Sequence, residues 1–202
     1  MGVHAPHLAM GGARLRAHPP LCGGAARPRS PEASLDARVD LIRSTGAGYV
    51  FWDLDDAHEA TREAKKQVKD ARGTLAAFLV SVDGMFDPDA RRRVSKSFEC
   101  PALTVWGLPE CGPVFASHPS WYLDESVGIP VTNAHVVPAD PRTGTPIQAL
   151  WELVESAEVT LRTPAMMCEP GIEDIPERFA GGRYRTGMMA SSDPNGMIYL
   201  LS

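Results

Sequence analysis

Nowhere does the sequence set two cysteines in a C-x-x-C spacing. Cys22, Cys100, Cys111 and Cys168 stand far apart, which excludes a zinc ribbon or dithiol pair built on that motif. Scattered thiols of this kind point to the reduced state and an intracellular setting. No apolar run is long enough to cross a bilayer as a helix, so no membrane partner is expected. Positive charge is not in excess either: the net charge is −5 and the isoelectric point about 5.7. A surface coated all over by nucleic acid is thereby excluded, and any such contact needs a local basic patch. Two stretches qualify, Lys65, Lys66, Lys69 and Arg72, and Arg91, Arg92, Arg93 and Lys96. The plainer reading of both is a solvated helix face. Internal repeats are also absent.

Acidic residues are missing before Glu32, while Arg14, Arg16, Arg27 and Arg29 stand among many Ala, Gly and Pro. Residues 1–31 thus have the composition of an organellar transit peptide (mitochondrion or chloroplast), although serines are few. A flexible extension is the alternative. What is present in quantity is ordinary for a globular protein. Of 202 residues 44% are hydrophobic and 22% charged, enough for a real core. Gly and Pro, 18 of each, crowd the first 31 positions and the region after Pro101, where loops are expected. The division that follows is an extension over 1–34 and a single α/β domain over 35–202.

Local patterns place the elements. Ser34 caps a short amphipathic helix over 35–43, ended by Gly46. Residues 48–52, rich in aromatic and β-branched side chains, read as a buried strand. A helix is expected over 58–72, stopped by Gly73, then a second buried strand over 75–82. Pro88 suits the first turn of a helix over 88–97, and a third strand covers 102–107. Strand, helix, strand, helix, strand with short links is the mark of a parallel sheet. The expected fold is therefore a three-layer, Rossmann-like domain with a mainly parallel sheet and a loop-rich C-terminal half. Beyond Pro109 the pattern loosens. A strand within 127–137 is interrupted by Pro130, and Ile147, Leu150, Trp151 and Val154 give residues 145–156 a helical stripe. A strand is read at 159–162, an irregular excursion at 163–187, and a last strand at 197–201.

The candidate site is the run Val50-Phe-Trp-Asp-Leu-Asp-Asp56. In parallel sheets, sites form beyond the carboxyl ends of the strands, and Asp53 stands at such an end. Carboxylates as close as Asp53, Asp55 and Asp56 repel unless a cation offsets them, which points to a divalent metal. The alternative is that Asp55 or Asp56 only caps the following helix, stabilising it by roughly 1 kcal/mol.

Phe51-Trp-Asp-Leu-Asp-Asp56 resembles the opening of NYN domains, a PIN-like nuclease group, with Asp56 where Asn is usual; the likeness spans residues 48–108. The resemblance implies a PIN-like, metal-dependent ribonuclease in which carboxylates hold Mg²⁺ or Mn²⁺ to activate water. Asp53 would be the principal ligand, with Asp53 and Asp55 catalytic, and Asp56 and Asp83 further ligands. RNA would lie along Lys65, Lys69, Arg91 and Arg92. The family's later Ser-Gly-Asp-x-Asp segment is not recognisable; Ser191-Ser-Asp193 comes nearest. That gap keeps open a catalytically inactive member serving as a structural or RNA-binding subunit among protein partners. A hydrophobic strand followed by Asp-x-Asp also resembles HAD-type phosphatases, with the first Asp as nucleophile and Ser81 as the second-strand hydroxyl, but their usual Thr or Ser is replaced by Asp56-Ala57.

Other motifs are set aside. Val131-Thr-Asn-Ala-His135 is similar to the histidine segment of trypsin-like proteases, yet no Gly-x-Ser-Gly turn follows it. His58 and His118 suit an exposed helical turn and a packed loop, respectively, and Met166, Met167, Met188 and Met189 suit adaptable packing.

Overall fold

The structure, a computed structural model, describes residues 7–10, 13–16, 34–82, 86–147, 154–166, 178 and 183–201. Within residues 1–34, strands β1 (His7–Met10) and β2 (Ala13–Arg16) pair antiparallel. The chain divides into two compact units: residues 1–83 with 89–102, and residues 84–88 with 103–202.

In the first unit, helix α1 (Leu35–Thr45) starts at Ser34, whose hydroxyl accepts from the Ala37 N–H, and ends at Gly46 in the left-handed conformation. Glycine holds that φ at no steric cost, and its N–H returns to the open carbonyls of the last turn. Strand β3 (Tyr49–Asp53) and strand β4 (Ala77–Val82) pair in parallel, with Trp52 beside Val80 and Asp53 beside Ser81. Between them run α2 (Leu54–Glu63) and α3 (Lys65–Asp70). The single helix expected over 58–72 thus begins four residues earlier and breaks at Ala64, whose ψ of 39° is not helical. Helix α4 (Pro88–Phe98) follows.

An aromatic file makes the core here. Trp52 stacks on Phe78 at 5.9 Å, and Phe78 meets Phe98 at 4.9 Å between ring centroids. Val39, Ile42, Leu54, Ala57, Val68 and Val94 close around it from the four helices. Each buried Val, Ile, Leu or Phe among them contributes about 1.5–3 kcal/mol relative to exposure.

The second unit is built differently. Strands β5 (Ala102–Leu108), β6 (Gly112–Ala116) and β7 (Ile129–Pro130) are joined antiparallel. A four-stranded meander follows: β8 (His135–Ala139), β9 (Val154–Arg162), β10 (Tyr184–Ser192) and β11 (Ile198–Leu200), all antiparallel neighbours. The two sheets meet where Gly128 bridges Ile198. Ile198 donates to the Gly128 carbonyl at 2.9 Å, and its own carbonyl accepts from Val127 N–H at 2.9 Å and Ser126 Oγ at 2.8 Å.

The fold is therefore mixed α/β, and the expected three-layer, mainly parallel sheet is corrected. The parallel pattern belongs to the first unit, whereas hairpins and short turns govern the second. The interrupted strand over 127–137 is two strands, β7 and β8, separated by a turn at Thr132–Asn133 in which Asn133 has φ 71°. Pro130 lies on β7, which has a neighbour on one side only, as a residue lacking a donor requires. The helix expected over 145–156 is not formed where it is described. Residues 145–147 run irregularly past Ala139, and Val154–Ser156 begin β9; residues 148–153 lie outside the described residues. Tyr184 to Gly187, read as irregular, start β10.

Among the described residues, no helix is long and apolar enough to cross a membrane.

Candidate functional site

Asp53 ends β3 and is itself the N-cap of α2. Its Oδ1 accepts from the backbone N–H of Asp55 at 2.9 Å and of Asp56 at 3.4 Å. Its other oxygen receives the Ser81 hydroxyl at 3.4 Å. Burial lifts the Asp53 carboxyl above the ordinary carboxylate value; the two N–H bonds oppose this, and the charges of Asp55 and Asp56 add to it. Asp56 turns to Arg38, whose Nη1 stands 2.9 Å from its Oδ2. Asp55 is exposed. One oxygen of Asp53 thus serves the start of a helix, the role that satisfies otherwise open N–H groups, and the other is held by Ser81 of the neighbouring strand.

Asp55, Asp56, His58, Glu59 and Arg62 line an open depression on the first turns of α2. Asp83 lies outside the described residues. Among the described residues, no group of three or more His, Cys, Asp or Glu side chains gathers to hold a metal. Lys65 and Lys69 are exposed on α3, and Arg92 is exposed on α4, where it pairs with Asp89. Arg91 is buried at 1% exposure, so that helix does not offer a continuous arginine face.

The second unit carries a polar cluster that no sequence motif singled out. Its first part is the hairpin between β5 and β6, whose turn, Pro109-Glu110-Cys111, is closed by Cys111 N–H donating to the Leu108 carbonyl at 3.0 Å. Gly112 follows with φ 67°, and a Cβ on Gly107 would lie 2.3 Å from the Gly112 carbonyl oxygen. Three-residue turns closed by a left-handed glycine are a standard hairpin solution, and here the turn carries Glu110. Cys111 is fully buried, and burial, followed by the Glu110 charge, pushes its thiol up to about 12. It is held as the unreactive thiol.

Tyr184 opens β10 beside this turn, almost wholly buried. Burial raises its phenol, a hydrogen bond from Arg178 opposes that, and the Glu110 charge raises it further. Arg178 is held above its ordinary value first by this hydrogen bond, with Glu110 and Glu158 adding attraction.

Glu158, on β9 and 4% exposed, is the anchor of the second part. It accepts from Arg185 Nε at 3.0 Å and from Gly187 N–H at 3.1 Å. Arg185 also donates to the Pro141 carbonyl at 2.8 Å, and Gly144 leaves room for its guanidinium. Across this stretch the β9–β10 register slips between Arg185 and Met189. The slip sets Thr186-Gly187-Met188 out of the ladder as a bulge, a device found next to binding and active sites. Glu110, Arg178, Tyr184, Glu158 and Arg185 therefore form one charged neighbourhood around a bulge and a tight turn. The signal in the sequence was the glycine placement, Gly107 and Gly112 about Glu110 and Gly187 after Tyr-Arg-Thr, which loop-rich surroundings obscured.

No family model matches the sequence, and no curated protein matches it. Solved structures match its fold. An anthranilate CoA ligase, AuaEII, in complex with anthranoyl-AMP is 16% identical over 88% of this chain and 34% of its own, with a TM-score of 0.75. ATP-bound MatB from Rhodopseudomonas palustris is 16% identical over 87% and 34%, with a TM-score of 0.71. The amide bond synthetase McbA from Marinactinospora thermotolerans is 23% identical over 87% and 35%, with a TM-score of 0.68.

These neighbours overturn the resemblance of residues 48–108 to NYN and PIN-like nucleases, and with it the ribonuclease, RNA-binding and inactive-subunit readings and the HAD-type phosphatase. An apolar strand ending in aspartates is shared by many sheets; here the first of them caps a helix. The chain spans about a third of the length of the structures it matches. Its fold is that of such a third of a CoA-ligase-type structure.

Proposed function

We propose that this chain is the nucleotide-handling part of an acyl-activating ligase, taking ATP or the acyl adenylate made from it. The observation that carries the reading is the fold likeness over 87–88% of the chain to a ligase bound to an acyl-AMP and to a protein bound to ATP. The polar neighbourhood of the second unit fits such a ligand chemically. Arg178, an exposed residue, supplies a planar donor for phosphate oxygens. Glu110, on a turn fixed by two glycines, offers a carboxylate to the divalent cation that accompanies ATP. The Mg²⁺ or Mn²⁺ expected from the sequence would then arrive with the nucleotide, shared between phosphate and a single protein carboxylate, rather than in a cage of aspartates.

Calorimetric titration with MgATP and with a hydrolysis-resistant acyl-adenylate analogue tests this. Saturable binding is expected for the unaltered chain. Arg178→Ala and Glu110→Gln should each weaken it about tenfold, a change of about 1.4 kcal/mol. No heat of binding with either ligand, or equal affinities in all three proteins, would contradict the reading.

A further inference from the structure

The turn between β10 and β11 carries a reactive pair, Asn195-Gly196. Asn195 is exposed, and its carboxamide makes no hydrogen bond among the described residues. Gly196 is exposed with φ 80°, and apart from its two chain neighbours no atom lies within 4 Å of the place a Cβ would take, so the turn is open on that side. The turn itself is organised by Asp193. One carboxylate oxygen accepts from Asn195 N–H at 2.9 Å and Met197 N–H at 3.0 Å, and the other receives the Tyr199 hydroxyl at 3.2 Å. The Asp193 carbonyl accepts from Gly196 N–H at 2.9 Å. Directly after the turn comes Ile198, whose backbone and the Ser126–Gly128 segment tie the two sheets of the second unit together.

We propose that Asn195 is a site of spontaneous deamidation, and that its conversion loosens the Ile198 tie. The Gly196 backbone nitrogen gives its proton to water or hydroxide and attacks the Asn195 side-chain carbonyl carbon. A carbon–nitrogen bond forms, the bond from that carbon to the amide nitrogen breaks, and ammonia leaves with the proton it needs from solvent. The resulting five-membered imide takes up water at either carbonyl and opens to aspartate or to isoaspartate. No electron transfer is involved. Because Gly196 N–H is held by Asp193, the reaction proceeds through brief openings of the turn and is slower than in a free peptide. Either product sets a new negative charge beside Asp193, and the isoaspartate link adds a main-chain carbon to a turn whose donors are already committed.

The test is favoured by the sequence. Trypsin cleavage after Arg185 releases residues 186–202, in which Asn195 is the only amide side chain. The folded chain is incubated in mildly alkaline buffer at physiological temperature, then denatured, digested and weighed against a sample digested without incubation. The expected result is a gain of one mass unit in this fragment, resolved into two chromatographic products and accelerated by raising the pH; Asn195→Ser shows none. Amide hydrogen exchange on the aged chain should be faster at Val127 and Ile198. A fragment unchanged in the folded chain, while the same fragment free in solution converts, would overturn the site. Conversion with unchanged exchange at Val127 and Ile198 would overturn its effect on the tie.

Discussion

At the scale of single residues, the aspartate that looked most like chemistry has an architectural task. Asp53 accepts two N–H groups at the start of α2, so Asp53→Ala should lower stability by about 1 kcal/mol, while Asp53→Asn keeps an acceptor and loses less. The pH dependence separates the two further. The folded carboxyl is raised above its ordinary 3.8, so the folded chain binds this proton more tightly than the unfolded one. The resulting stability is in full below 3.8 and is lost as pH rises through the shifted value. Asn does not titrate; urea unfolding across that acidic range should find this downward trend in the unaltered protein and not in Asp53→Asn. The strand-end position of Asp53 was legible in its sequence neighbours. Its purpose was not, because a cap and a metal ligand ask for the same side chain in the same place. The converse holds for Glu158. A glutamate in an antiparallel strand reads as solvent-facing, and partners distant in sequence, Arg185 and the Gly187 N–H, make its burial tolerable.

Elements are legible in the sequence where their cause is local. α1, β3, β4 and α4 follow from caps, glycine stops and apolar runs within a few residues of themselves, and the structure places them within about two residues of expectation, the usual uncertainty of element ends. The second unit depends on partners far along the chain. β9 pairs with β8 and β10 and buries Glu158 and Thr160 among its apolar residues, which breaks the apolar run expected of a buried strand. The stripe from Ile147 to Val154 has helical spacing, yet Val154 is claimed by the sheet; tertiary pairing overrides a local period. A specific consequence concerns Gly128. A Cβ there would lie 2.1 Å from the Ala116 carbonyl oxygen, at φ 108°, on the segment that ties the two sheets of the second unit. Gly128→Ala should destabilise by at least about 2 kcal/mol through overpacking and backbone strain combined. An unchanged unfolding midpoint would show that this tie does not hold the sheets.

For the molecule as a whole, the likeness to ligases rests on a course of chain that identities of 16–23% leave almost invisible in sequence. A fold persists through such divergence because volume, periodicity and glycine positions preserve it, while surface and loop residues drift. Short motifs behave the opposite way: Phe51-Trp-Asp-Leu-Asp is memorable and carries little fold information, because any buried strand leading into a capped helix can produce it.

The proposed function assigns nucleotide binding to the second unit and not to the aspartates at the start of α2. Titration of isotope-labelled protein with MgATP, followed by backbone amide resonances, tests it most directly. The account predicts saturable shifts at Glu110, Cys111 and Gly112 and at Tyr184 to Met188, with Leu54 to His58 unmoved. Shifts concentrated at Leu54 to His58, or none in either place, would contradict it.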